Sequence, residues 1–169
     1  MFVHLVEVAV RSKVTYYSIK IEVDGRLNEK TEMQLFFEKH LNNPVTKEWA
    51  QDLYEWLNTR IGIEKGAEER LFRSERHAQA LPPNIQAINK ATNYNLRLYC
   101  VRVNEQIVIL LNGGMKTART AQECEIVGPH FKFANQFAHS FWKAIKNGVI
   151  QIDKKNRVLL FNNPLNLNK

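Results

Sequence analysis

Cysteine is scarce: the 169 residues hold two, Cys100 and Cys124, and neither has Cys or His companions at ligand spacing. A disulfide scaffold and a structural zinc module are therefore excluded, and a reducing compartment fits. No apolar run approaches the roughly 20 residues of a membrane-spanning helix. Glycine (7) and proline (5) are also few, and no repeat or low-complexity segment occurs, which excludes collagen-like and solenoid architectures. The opening MFVHLVEVAV carries Glu7 and lacks both a basic lead-in and a small-residue cleavage site. It reads as a strand, not a signal peptide, so a cytoplasmic location with no membrane partner is expected.

What is present is a composition of 44% apolar and 24% charged residues, that of a folded chain long enough to bury a core without staples. We expect one domain over residues 1–169. The net charge of +7 is unevenly spread. Residues 1–69 carry nine Lys/Arg against twelve Asp/Glu, residues 70–120 eight against two, and residues 132–169 seven against one. Two basic blocks thus follow an acidic one. Such blocks attract polyanions, phosphate backbones above all, and their binding weakens steeply with salt. The alternative is a solubilising surface.

Alternation and β-branched residues predict strands over Val3–Val10 and Tyr16–Val23, closed by the Asp24-Gly25 turn signal. Met33, Leu35, Phe36, Phe37 and Leu41 predict a short amphipathic helix ended by Asn43-Pro44. Thr46 as N-cap, Glu48 in the first turn and the stripe Trp49, Leu53, Trp56 and Leu57 predict a second helix, stopped at Gly62, with that stripe in the core. Residues 63–95 have no clear period and read as loop. The strongest strand signals are Leu96–Val103 and Ile107–Leu111, a hairpin ended by Asn112-Gly113-Gly114. Phe133, Phe137, Phe141 and Ile145 recur every four residues up to Gly148, predicting a helix over 129–147 with Gly148 as its C′ residue. A last hairpin turns around Asp153–Asn156.

Period two places Leu96, Leu98 and Cys100 on one face of their strand and Arg97, Tyr99 and Val101 on the other. A guanidinium in mid-sheet needs a buried acid or an open, anion-binding groove. The choice lies between an acid of the N-terminal helices and a phosphate supplied from outside. NGGMKTART, just past the next strand, offers Lys116, Thr117, Arg119 and Thr120 after two glycines. It resembles a phosphate-gripping loop but lacks the Walker pattern. Antiparallel pairing of 96–111 would bring Lys116 near Arg97. Arg70, Arg73, Arg76 and His77 cluster upstream, either for binding or as a solvated helix face. Arg102 reads as a surface charge and Cys100 as core. The five histidines are scattered, and HExxH and GxSxG are absent, so no metal and no cofactor is expected.

FRSERHAQALPP, then LRLYCVRV, then IVILLNGGMKTART, followed by a helix, together resemble the RelE/HigB/ParE superfamily of bacterial toxins. The resemblance covers residues 15–147 and is most specific over Phe72–Thr120. It implies an α+β fold in which an antiparallel twisted sheet packs against N-terminal helices and a C-terminal helix. An extra N-terminal strand and a C-terminal hairpin appendage at 148–162 depart from the family core. It further implies a metal-independent endoribonuclease that cuts messenger RNA on the ribosome and is silenced by a cognate antitoxin. Within the same fold, the alternatives are a gyrase inhibitor and a non-catalytic nucleic-acid- or protein-binding module. By position, Arg97, Lys116 and Arg119 match the catalytic cations, while Arg73, Arg76, His77, Tyr99 and Lys132 are candidates for RNA contact. The acid or base that several members carry near the last strand is replaced here by Thr and Ala, with His77 and His130 as substitutes.

Overall fold

The computed structural model describes residues 1–83, 95–117, 121 and 123–166. Strands β1 (Phe2–Val10) and β2 (Thr15–Val23) form the expected opening hairpin, with Val3 opposite Ile21 and Leu5 opposite Ile19. A two-residue strand, β3 (Arg26–Leu27), folds back on the end of β2. Helix α1 (Glu32–Leu41) starts at a capping box, in which the Gln34 N–H donates to Thr31 Oγ1 and the Thr31 N–H donates to Gln34 Oε1.

Helix α2 (Lys47–Glu55) does not end at Gly62. It widens into a π-helical segment, Trp56–Lys65, and stops at Gly66, whose φ of +80° favours glycine. Gly62 answers a contact instead, because a Cβ there would lie 2.7 Å from the Leu57 carbonyl oxygen. Of the predicted stripe, Leu53 and Leu57 are buried, while Trp49 and Trp56 are half-buried against the same core.

Residues 63–83 hold two strands where loop was expected, β4 (Arg73–Glu75) and β5 (Ala78–Leu81); Asn84–Tyr94 lie outside the described residues. The central hairpin is β6 (Leu96–Asn104) and β7 (Ile107–Met115), so the second strand runs through both glycines before it ends. With β10 (Leu165–Asn166) at one edge, the sheet order is β10-β1-β2-β7-β6-β5-β4, and β2 runs parallel to β7 over Thr15–Ser18 and Ile107–Leu110. The sheet is therefore mixed, not wholly antiparallel. The chain between these two strands contains α1 and α2, and such a crossover permits parallel pairing.

Helix α3 (Gly128–Lys146) ends ahead of Gly148, which has a φ of +73° as expected of a C′ residue. The fold is thus α+β, with three α-helices around a mixed sheet among the described residues. One sheet face, with Tyr16, Leu96, Leu98, Cys100 and Leu110, buries Phe36, Leu53, Leu57 and Ile61 of the N-terminal helical segments. The other, with Tyr17, Tyr99, Val101 and Ile109, buries Phe131, Phe137 and Phe141 of α3. Each of these large side chains stabilises the fold by about 1.5–3 kcal/mol.

The C-terminal hairpin β8 (Gln151–Asp153) and β9 (Val158–Leu160) is seated in the second core through Ile150 and Leu159. The Leu159 N–H donates to Tyr17 Oη (3.0 Å), and Arg157 donates to the Ser12 carbonyl (2.6 Å). Strand β10 (Leu165–Asn166) pairs with Phe2 and Val3. Next to it, the Asn163 side-chain amide accepts from the Leu5 N–H (2.9 Å) and donates to the Leu5 carbonyl (3.0 Å), standing in for a peptide unit. Among the described residues, no helix is long and apolar enough to cross a membrane.

Candidate functional site

Strand register decides which cations meet. Arg73 is opposite Ala80 and Ala80 opposite Tyr99, while Glu75 is opposite Ala78. Cross-strand partners share a face, and so do residues two apart. Arg73, Glu75, Tyr99 and Arg97 therefore all point to the α3 side of the sheet. The two alanines between the outer strand and Tyr99 leave room for the long side chains on either side. Arg97 pairs with Gly114, and the Lys116 N–H donates to the Asn95 carbonyl (2.7 Å), so the expected approach of Lys116 to the Arg97 strand is found.

Glu75, on the same face of the sheet, is an acid on which the charge of Arg97 acts. Burial raises the half-buried Glu75 carboxyl above the usual range, opposed by the positive charges of Arg73, Arg97 and Lys116. Arg97 is only 7% exposed, with one guanidinium nitrogen donating to the Leu96 carbonyl (3.0 Å). The charges of Arg73, Arg97 and Lys116 thus all act on one carboxylate. Tyr99 is fully buried, and its hydroxyl has no hydrogen-bond partner among the described residues. Burial first, then the charge of Glu75, raises its pKa, so it is a neutral phenol with a proton to donate.

Glycines 113 and 114 do not shape a loop. Between Leu98 and Cys100 the register slips, leaving an extra residue in β7. A Cβ on Gly113 would lie 1.8 Å from the Arg97 carbonyl oxygen, so only glycine lets the strands come this close. Asn112 folds its carbonyl oxygen onto the Gly113 N–H (2.8 Å) and donates to Glu32 (2.9 Å). Beyond the strand, Thr117 N and Oγ1 each lie 3.4 Å from Cys124 Sγ. Burial disfavours the Cys124 thiolate, but these contacts and the Val127 and Ile126 N–H groups outweigh it, lowering the thiol to about 6.

The other expected residues fall elsewhere. Arg70, Arg73, Arg76 and His77 lie on a short turn and a β-hairpin, not on a helix face. Arg76 sits over the Phe131 ring at 5.6 Å. The His77 N–H donates to Asn135 of α3 (2.8 Å), and its ring meets that of His139 at 5.7 Å. Lys132 is exposed on α3. His130, on the first turn of α3, is lowered by burial and then by the charge of Lys39. Arg102 is no free surface charge, since it donates to the Ala67 carbonyl (2.6 Å). Arg119 lies outside the described residues.

Two members of the site were missed by sequence reasoning. Glu75 is one of only two acids in a basic block, and it sits two residues from Arg73; that isolation was the available signal. Cys124 had no signal, since its neighbours arrive through tertiary packing. Among the described residues, no group of three His, Cys, Asp or Glu side chains could hold a metal ion. Compared with family models, curated proteins and solved structures, the chain matches none.

Proposed function

We propose that the protein is a toxin-like endoribonuclease of the RelE/HigB/ParE kind, acting on messenger RNA without a metal and held in check by an antitoxin. The observation that supports this reading most is that Arg73, Arg97 and Lys116 all act on one carboxylate, on the sheet face that also carries a tyrosine hydroxyl with no hydrogen-bond partner among the described residues. Cations fixed in advance stabilise charge as it grows on a phosphoryl group, each contributing about 3 kcal/mol, roughly a hundredfold in rate. In this scheme the Glu75 carboxylate accepts the 2′-hydroxyl proton as the 2′-oxygen attacks phosphorus. Its raised pKa brings it nearer to neutrality, as a general base requires. The bond to the 5′-oxygen breaks, and the Lys116 ammonium supplies the proton to that leaving group. A 2′,3′-cyclic phosphate and a 5′-hydroxyl result. Tyr99, fully buried, keeps its proton beneath the site, and Arg97 holds charge from below.

The test is RNA cleavage and translation in a reconstituted system. Arg97→Ala combined with Lys116→Ala should abolish cleavage, and Glu75→Gln should lower the maximal rate by about a hundredfold or more with little change in KM. Full activity in the double variant would overturn the reading. The burial of Arg97 favours a second reading, a non-catalytic nucleic-acid-binding module; binding without cleavage, on isolated ribosomes included, would establish it.

A further inference from the structure

The other flank of α3 joins a basic stripe to a cleft. The outward side of this helix carries Lys132, Gln136, His139, Lys143 and Lys146, spaced four, three, four and three residues apart and so forming one stripe. All five are exposed, and the 19 residues of α3 include no acid. One side of the stripe faces the β4–β5 turn, through Asn135 and His139. The other borders a cleft of about 350 Å³ between the C-terminal half of α3 and β10.

Ala144, Val149 and Leu165 line this cleft, and the buried Phe137 and Phe141 lie beneath its floor. Ser140 and Asn147 also line it, and neither side chain makes a hydrogen bond among the described residues. Lys143 belongs both to the cleft and to the stripe. Apolar walls, a few polar groups and one cation at the mouth suit a flat heteroaromatic ring joined to a phosphate, and the volume lies in the range of small-ligand sites, roughly 300–1,000 Å³. A long basic stripe with no acid favours a polyanion over a lone nucleotide.

We propose that this cleft takes an unstacked base of single-stranded RNA, with Lys143 on the adjoining phosphate and the α3 stripe following the strand. The site is separate from the Arg97–Glu75 cluster and stands whether or not that cluster cleaves RNA. Fluorescence anisotropy with labelled oligouridylate and oligoadenylate reads it directly, using the full chain. Lys143→Glu at the mouth should weaken binding about tenfold, and Lys143→Ala should lower the salt dependence of log K by about 0.7. Ala144→Phe, which fills the cleft, should weaken binding by a similar factor. Lys143 is exposed, so its variants keep the fold, and a thermal melt checks Ala144→Phe. Unchanged affinity in both Lys143 variants would overturn the proposal. Competition by polyphosphate as effective as that by the oligonucleotides would remove the base from it, and adenosine monophosphate binding as tightly as the oligonucleotides would overturn the strand assignment.

Discussion

Replacing Gly113 with alanine tests the account of the central hairpin most sharply. The added Cβ would fall 1.8 Å from the Arg97 carbonyl oxygen, whereas real Cβ atoms keep at least 3.0 Å. The two strands must then part by more than an ångström, at backbone that has no flexible end to yield. Parting them weakens the ladder bonds around Arg97–Gly114 and Leu98–Gly113, at about 1 kcal/mol each, and overpacking adds about 1–3 kcal/mol. A loss of about 3–5 kcal/mol follows, or roughly 10 °C in Tm for a chain of this length. Gly114 is the internal control, because its nearest added contact is the Ile126 side chain at 3.3 Å and Ile126 is half exposed. Gly114→Ala should stay within about 1 kcal/mol of the parent. Urea and thermal unfolding, followed by circular dichroism, measure both. Equal stability of Gly113→Ala and the parent, or equal damage from the two variants, would refute the close-approach argument. Because Lys116 follows directly on this strand, Gly113→Ala should also impair RNA cleavage more than Gly114→Ala does.

Two pH effects follow from buried groups. His40 is 3% exposed, its Nδ1 lies 3.2 Å from Thr46 Oγ1, and burial first, then Lys39 and His130, lowers its pKa to about 4. The unfolded chain therefore binds more protons than the folded one between about pH 6.5 and 4, so stability is full above that window and falls across it by up to about 3 kcal/mol; denaturation midpoints at pH 7 and 4.5 should differ accordingly, and His40→Leu should flatten the difference. Cys124 gives the opposite kind of shift, an acid lowered to about 6, so its contribution is complete above the ordinary thiol pKa and is lost as pH falls through about 6. Ultraviolet titration of the thiolate should show that midpoint and lose it in Cys124→Ser, while Cys100, raised by full burial, stays protonated.

The parts of this fold legible from sequence are those with a strong period of their own. Leu96–Val103 alternates cleanly, and so the placement of Arg97 with Tyr99 and Val101, apart from Leu98 and Cys100, agrees with the structure. The aromatics of α3 and the C′ glycine were equally plain. By contrast, RSERHAQAL has no β-branched residue, and it becomes two strands because β6 offers an edge and Ala78 and Ala80 suit the space below α3. Parallel pairing of β2 with β7 joins residues some ninety apart, which no local pattern encodes. Gly113 and Gly114 resembled a loop because a close approach of backbones and a flexible turn use the same residue. The site was half legible for the same reason: the cations stood out by charge, whereas Glu75 acquires its meaning only when the outer strands set it beside them.

The Asn163 amide and β10 reach back across more than 150 residues to close the outer side of β1. A ribosome making this chain would release the first strand long before its last neighbours existed. Until they arrived, a row of bare peptide groups would invite unwanted partners. Nascent molecules should therefore lean on chaperones until residues 163–166 have emerged, and chains stopped before Asn163 should aggregate instead of giving partly active protein.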